Sequence, residues 1–392
     1  MRVAVIGAGI IGACIAHALV KRGAEVALID RDEPGRGCSY GNSGAISPGS
    51  VAPVAMPGVL ASVPSMLMNQ DSPLFLPLLY LPTALPWLLR FVGSATPARV
   101  KASARELHKL HSGAVEAHVA YAAEVGVPEL ILRKGHLHLY QDEAAFNKDA
   151  GGWRMRKEYG YTFERLDRAG ILALEPGVGE RYTVGVYLAD HATILNPLRY
   201  VQAIVRAFVA SGGKLQQETV QSIAALPNAR WQVNAGNPFD HLVVAAGAWS
   251  TRLLAPLGIH LSLESQRGYH VQFPGARTLV SRTVILADKK TFVTPMEEGL
   301  RVGGTVEIAG LDRPPDARRA AILERIVRDT FRGLEGITPT TWMGHRPCMP
   351  DSVPVVGPAK GRPGLWIAVG HGHLGMTDSI NTARRIANDL VS

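Results

Sequence analysis

The chain has 392 residues, 47% hydrophobic and 19% charged, which describes a globular protein with room for two lobes and excludes a disordered one. A net charge of +8 suits an anionic ligand or an anionic membrane surface; no dense basic run with interleaved aromatics appears, which argues against nucleic acid. Cys14, Cys38 and Cys348 are too far apart for metal-ligand spacing. With no C-x-x-C pair and no secretory leader, they point to a reducing, cytoplasmic compartment and to no metal.

The first thirty residues carry the strongest signal. Arg2–Ile6 reads as a strand, Gly7-Ala8-Gly9-Ile10-Ile11-Gly12 as a glycine turn, Ile10 to Lys21 as a helix, and Glu25–Ile29 as a strand ending on Asp30. This order is the dinucleotide fingerprint in its required context. Gly7 permits the tight turn, Gly9 brings backbone to a pyrophosphate, and Gly12 lets the helix lie close to the strand. The helix start at Ile10 and Ile11 offers unpaired N–H groups and a positive dipole end to phosphates. Asp30 is placed to accept from ribose hydroxyls. The pattern alone fits FAD and NAD equally.

From Arg31 to Gly49 the chain is punctuated by Gly, Ser and Asn, the composition of a loop able to lie against a flat or phosphorylated ligand. Here the sequence resembles the FAD-dependent amine-oxidising flavoproteins, the family of D-amino-acid oxidase, glycine oxidase, sarcosine oxidase and D-amino-acid dehydrogenase. Ser39, Asn42 and Gly44 match that family's S-x-x-N-x-G stretch, with Ser43 inside it. The resemblance implies that this loop runs beside the pyrophosphate and the isoalloxazine. Ile46-Ser47-Pro48-Gly49, with Ala52-Pro53 and Met56-Pro57-Gly58, is most similar to the bacterial D-amino-acid dehydrogenase branch.

Leu74–Val92 is the most apolar run, with Arg90 its only charge. Its length suggests a membrane span, but Pro77, Pro82 and Pro86 argue against one by breaking the helix. A broken segment that covers a cofactor or dips into a membrane interface fits better. Glu106–Gly126 reads as one long helix, and its His108, His111 and His118 are not all on one face and have no acidic partners nearby. Gly135–Tyr140 alternates as a strand, Glu143–Tyr159 reads as a helix, and Asn196-Pro197 opens a helix through Ala210. Strands are expected at Lys214–Ile223, Arg230–Ala235 and His241–Ala246. By resemblance, the backbone of Val220 meets the adenine, and Val243–Ser250, with Ala246, Gly247 and Trp249, is the second nucleotide-proximal motif.

Ser265–Phe273, Thr283–Ala287, Thr291–Met296 and Leu300–Val306 follow without long helices between them, which predicts an antiparallel sheet. Asp316–Leu334 is an amphipathic helix expected on its outside, with its charges in solvent. Trp342–Pro358 then matches the family pattern G-x-R-P-x-x-P-D-x-x-P-x-x-G-P, from Gly344 to Pro358. Its glycines and prolines predict a turn that holds Arg346. A planar guanidinium can grip a carboxylate with two parallel hydrogen bonds, and the resemblance puts the substrate-carboxylate arginine here. Arg267 is a candidate second carboxylate partner, and Tyr269 or His270 a candidate for the substrate amine. Phe292 is a candidate for the substrate side chain.

Leu365–Val369 ends in a second glycine turn, Gly370 to Thr377, before a terminal helix. By resemblance Gly372, His373, Leu374, Gly375, Met376 and Thr377 face the flavin pyrimidine edge, where a positive helix end favours negative charge. His373 is also a candidate for proton transfer. Cys348 does not match the position of the flavin-linking cysteine of some relatives, so the resemblance implies non-covalent FAD.

The expected fold is a Rossmann-like α/β lobe for FAD (1–52, 166–260 and 338–392) with a discontinuous α+β substrate lobe (53–165 and 261–337) around a largely antiparallel sheet. The resemblance implies oxidative deamination of D-amino acids, cyclic ones such as D-proline or hydroxy-D-proline included. Electrons would go to a quinone or other carrier, at the inner face of a membrane. Alternatives are oxidation of sarcosine or glycine, and a flavin-carrying subunit of a larger electron-transfer assembly.

Overall fold

The structure is a computed structural model that describes residues 1–58 and 74–391. Val3–Ile6 and Val26–Ile29 are buried throughout, as strands of a parallel sheet covered on both faces must be. The six-stranded sheet runs Lys214–Gln217, Glu25–Asp30, Arg2–Ile6, His241–Val244, Leu365–Val369, Val355–Pro358. All neighbours are parallel except the last pair. Alternate residues face two cores. Val3, Val5, Val26 and Leu28 meet helices Ile10–Val20, Pro197–Ala210 and Gly375–Leu390, whereas Ala4, Ile6, Ala27 and Ile29 meet Trp231, Phe239 and Leu254. The Pro197–Ala210 helix starts as its sequence requires, with Asn196 Oδ1 accepting from the Arg199 amide at 3.0 Å.

The second sheet has nine strands. Its main path is Thr340–Cys348, Glu264–Pro274, Gly299–Ile308, Thr291–Met296, Thr283–Leu286, His136–Tyr140, Val184–Leu188, Glu164–Leu166, and Leu74–Phe75 pairs beside Gly299–Ile308. Most pairs are antiparallel; Thr283–Leu286 with His136–Tyr140, and Leu74–Phe75 with Gly299–Ile308, are parallel. One face carries Tyr269, Val271, Phe273, Val293 and Val302 against Ala320, Leu323 and Val327 of helix Ala317–Thr330. The other face looks back at the Tyr40–Asn42 loop of the first lobe.

Several expectations need correcting. Val184–Leu188 and Thr340–Cys348, expected in the dinucleotide lobe, are strands of the large sheet. The long helix after Glu106 is two, Pro97–His111 and Ala114–Glu124, because Gly113 turns into the left-handed region at φ 66°. The helix expected over 143–159 is also two, Glu143–Lys148 and Ala150–Glu158, meeting at Asp149, whose carboxylate accepts from Tyr140 Oη at 3.0 Å. Pro86 does not break its helix, since Leu81–Ser94 is continuous through it. The strand from Lys214 stops at Gln217. Arg319 is buried, with its guanidinium over the Phe75 ring, so the charges of its helix are not all in solvent. His111, which sequence leaves without an acidic neighbour, meets Asp378 at 3.2 Å. Among the described residues no single helix is long and apolar enough to cross a membrane.

Candidate active site

A cavity of about 1470 Å³, counting its open mouth, lies at the carboxyl ends of the parallel strands. This is where an open α/β sheet leaves a crevice. Gly7, Gly9, Ile10 and Ile11 line it on one side, Asp30 and Arg31 beside them, and Val220, Ala246, Gly247 and Trp249 opposite. Gly7 has φ 107°, and a Cβ on it would lie 2.4 Å from the Ala245 carbonyl oxygen. Gly12 stays outside the cavity. A Cβ there would fall 1.8 Å from the Gly7 carbonyl oxygen, so its part is to let helix and strand close together. The helix begins with no acidic residue in its first turn, and the Ile10 amide donates to Ser39 Oγ at 2.9 Å. Asp30 Oδ2 accepts from the Ala8 amide at 2.6 Å and Oδ1 from the Asp32 amide at 3.0 Å, which fixes the carboxylate at the cavity edge. Glycines that backbone forbids replacing, an uncapped helix start and a fixed acid fit the adenosine and pyrophosphate of a dinucleotide.

A second helix start lines the same cavity through Gly372, Gly375 and Met376. Two positive helix ends on one cavity fit a ligand with electron-rich groups at both ends, as FAD has. Leu374, the N-cap residue of that helix, is buried. Thr377 Oγ1 accepts from the Ser47 amide at 3.1 Å and donates to the Ala45 carbonyl at 3.3 Å, so it ties the helix to the Ser39–Ser47 loop and not to the cavity. In that loop Ser39 and Asn42 line the cavity. Gly44 is there for backbone reasons: at φ 69° its Cβ would meet the Ile194 carbonyl oxygen. Ile46 is wholly buried, and Ser43 Oγ sits over Gly303.

Arg346 lies on a strand, not in a turn. Strand Thr340–Cys348 pairs with Glu264–Pro274, placing Gly268 opposite Gly344 and Gln266 opposite Arg346. The guanidinium lies over Gly268, where a Cβ would come within 2.1 Å of Cζ, and Gly344 gives room to the Trp342 ring in the same way. On the other side of Gly268 the register with Gly299–Ile308 shifts between Arg267 and Tyr269. This β-bulge leaves Thr305, at φ 50°, with its carbonyl turned to accept from Arg346 Nη1 at 3.2 Å. No carboxylate among the described residues lies within ion-pair distance of Arg346. His373 is close enough to feel its charge. The His373 ring is open to solvent at the surface, and desolvation by the atoms crowded around it, with the Arg346 charge adding to it, brings its pKa down to about 4.

Arg267 and Tyr269 do not reach this site. Strand alternation turns both to the opposite face, where Arg267 Nη1 stands 3.5 Å from Glu307 Oε2 and Nη2 donates to the Pro314 carbonyl at 2.7 Å. Tyr269 Oη donates to the same Glu307 at 2.6 Å and accepts from the Asp316 amide. Their expected contacts with substrate are withdrawn. His270 is on the Arg346 face, buried, with its pKa brought down to about 3 mainly by burial.

Sequence reasoning missed several lining residues. Cys38, Glu218, Thr219, His345 and Pro347 all border the cavity, as does His371, which the glycine turn already offered beside His373. Glu218 and Thr219 were within reach, being next to Val220. His345 was not: it meets Trp249 edge-on at 5.1 Å, and Arg31 covers Trp249 from the other chain segment at 4.6 Å. Cys348 is buried and its thiol is pushed up to about 12, mainly by that burial.

The two sheets, the crevice and its two helix starts define a dinucleotide-dependent enzyme of the flavoprotein type. The family described as "FAD dependent oxidoreductase" matches residues 2–388, and the chain belongs to it. It is 39% identical over 398 residues to a D-amino-acid oxidase of Bradyrhizobium diazoefficiens, covering 99% of this chain and 94% of that one. It is 32% identical over 402 residues to a D-amino acid dehydrogenase of the same organism, covering 100% and 95%. The crystal structure of glycine oxidase from Geobacillus kaustophilus has the same fold, with a TM-score of 0.75, 22% identity and coverage of 100% and 94%. The protein is therefore an FAD-dependent oxidoreductase.

Proposed function

We propose that this enzyme dehydrogenates D-amino acids, cyclic ones such as D-proline included, with Arg346 as the partner of the substrate carboxylate. The carrying observation is a half-buried guanidinium that donates to a backbone carbonyl and lies over Gly268, with no carboxylate among the described residues within ion-pair distance. The names of the two Bradyrhizobium relatives support the substrate class. Bound FAD would supply the acceptor for the α-hydrogen and its electron pair, so that an acyclic substrate would leave as an imine and hydrolyse to a keto acid and ammonia. The chain's part is to hold FAD non-covalently through Gly7, Gly9, the Ile11 amide, Asp30, Val220 and the Gly372–Met376 turn. Arg346 orients the substrate by its carboxylate, and a neutral His373 beside it, whose pKa lies below the ordinary imidazole value, avoids a second competing charge. The buried, protonated Cys348 is a poor nucleophile, in keeping with dissociable FAD.

Support for a membrane-side acceptor comes from helix Leu81–Ser94, whose outer face exposes leucines beside Arg90. Such a face suits a peripheral contact with an anionic bilayer and transfer to a quinone or other carrier there. The test is anaerobic reduction of the bound flavin by D-alanine, D-proline and sarcosine. Reduction by the first two supports the reading; reduction by sarcosine alone would replace it with N-methyl amine oxidation.

A further inference from the structure

We infer that His270 and Arg301 are positioning residues for the cofactor: from the large sheet, they turn the peptide groups of the Tyr40–Asn42 loop so that its N–H groups face FAD. This rests on FAD occupying the cavity that Ser39 and Asn42 line. Three successive carbonyls of the loop are all held from the opposite lobe. Arg301 Nη1 donates to the carbonyls of Tyr40 at 2.7 Å and Asn42 at 2.8 Å. His270 Nδ1 donates to the carbonyl between them, Gly41, at 3.2 Å.

The two donors are themselves fixed. Arg301 is buried, and its Nε and Nη2 both donate to Gln272 Oε1, at 3.0 and 2.7 Å. His270 stacks on Trp342 at 5.1 Å and 20°. The Trp342 ring is seated by glycines on the loop and on its own strand, since a Cβ at Gly41 or Gly344 would come within 1.8 or 2.0 Å of it. So the loop is gripped by a rigid wall.

The consequence follows from peptide geometry. In a trans peptide the C=O and the next N–H point in opposite directions. Drawing the carbonyls of residues 40–42 toward the sheet turns the N–H groups of Gly41, Asn42 and Ser43 away from it. The Asn42 amide is used within the loop, donating to the Ser39 carbonyl at 3.2 Å. Those of Gly41 and Ser43 have no acceptor among the described residues, and the loop borders the cavity through Ser39 and Asn42. The sheet that carries the substrate arginine therefore also sets the donors offered to the cofactor, and neither His270 nor Arg301 need touch it.

The test exploits which ring nitrogen acts. An Asn side-chain amide can stand where His270 Nδ1 stands, whereas Gln places its amide nearer Nε2; both lose the stacking on Trp342 equally. Holoenzymes of His270→Asn, His270→Gln, Arg301→Lys and Arg301→Met are diluted, and FAD release is followed by fluorescence, with visible circular dichroism of the bound flavin as a second readout. His270→Gln and Arg301→Met should release FAD about ten-fold faster or more, the effect of losing one such hydrogen bond, with an altered flavin dichroism. His270→Asn and Arg301→Lys should stay close to the parent. Equal release from His270→Asn and His270→Gln overturns the proposal, and that pair decides the matter if Arg301→Met does not fold. If no variant retains flavin and the parent also binds none, the failure lies with FAD occupancy of the cavity instead.

Discussion

Arg267 and Arg346 sit on adjacent strands, one step apart in register and on opposite faces of one sheet. Arg267 is fully buried beside Glu307 and donates to the Pro314 carbonyl, while Tyr269 donates to the same Glu307. Arg346 is half-buried and donates to a carbonyl displaced by a bulge. The fold has given one cation its anion and left the other to receive one. The two differ in burial as well, but it is the presence or absence of a paired carboxylate that separates the structural arginine from the one left to bind.

The sharpest way to break this contrast is to remove each cation in turn. Arg346→Ala should lower kcat/KM for D-amino acids by about two to three orders of magnitude, the scale of 3–5 kcal/mol for a buried carboxylate left unpaired, while FAD and thermal stability stay as in the parent. Arg346→Lys should recover part of it, since a point charge cannot make the paired contact. Arg267→Ala should do the reverse, lowering stability because the buried Glu307 keeps only the Tyr269 hydroxyl and the half-exposed Arg313 as partners. Steady-state kinetics beside urea unfolding separate the two. Unchanged kinetics in both Arg346 variants would place the carboxylate site elsewhere.

The same contrast explains what the sequence made legible. The fingerprint, its acid and the closing glycine turn are local, since each is contiguous in sequence; Gly12 answers to the Gly7 carbonyl inside its own βα unit, although Gly7 itself answers to Ala245 on a distant strand. Arg346 was legible for its neighbours in the motif, but its setting was not. The bulge at Gly268 and the Thr305 carbonyl come from other strands, joined only by long-range register. Arg267 and Tyr269 were misread because a strand sends alternate residues to opposite faces. Their face was set by Glu307, some forty residues on. Gly113 and Asp149 split helices whose apolar spacing ran on unbroken.

A milder test concerns histidines whose partners the fold supplies completely. His118 Nε2 donates to the Met376 carbonyl at 2.8 Å while Nδ1 accepts from Tyr200 Oη at 3.0 Å. His191 accepts from the Gly49 amide at 3.2 Å and donates to His136 Nδ1 at 3.1 Å, and His136 passes its own proton to the Ala192 carbonyl at 2.9 Å. Each ring is locked neutral, because a second proton would face a donor. Burial accordingly brings His118 and His136 from 6.5 down to about 4. The folded state binds fewer protons than the unfolded one in this range. Stability is thus whole above about pH 6.5 and falls as pH drops toward 4, each ring contributing about 1.4 kcal/mol per pH unit. Asp378 and Glu264, raised by burial, act in the opposite sense and lessen the net slope. Melting curves from pH 7.5 to 5 should show this acid limb, shallower in His118→Phe. Equal slopes would mean that His118 is not held neutral.

The smallest expected effect on stability belongs to side chains with no partner at all. Helix Leu81–Ser94 buries Ala84, Trp87 and Phe91, with the Trp87 and Phe91 rings stacked at 5.1 Å and Trp87 Nε1 donating to the Cys348 carbonyl at 3.2 Å. That inner face ties it to the strand of Arg346. Its outer face and the turn before it leave Leu78, Leu79, Leu85 and Leu89 66, 97, 47 and 65% exposed, while Leu88 is held against the helix's own core cluster. Exposed leucines gain little from folding, so replacing those four by Ser should change stability by only about 0.5 kcal/mol each or less. If the face meets a bilayer, the same change should abolish flotation with anionic liposomes, because the apolar insertion is lost while Arg90 remains. Dye-linked turnover should be retained and quinone reduction in membranes lost. Retained flotation would assign membrane contact to another surface, and rapid peroxide formation by the parent protein would make oxygen the acceptor and leave the leucines without this role.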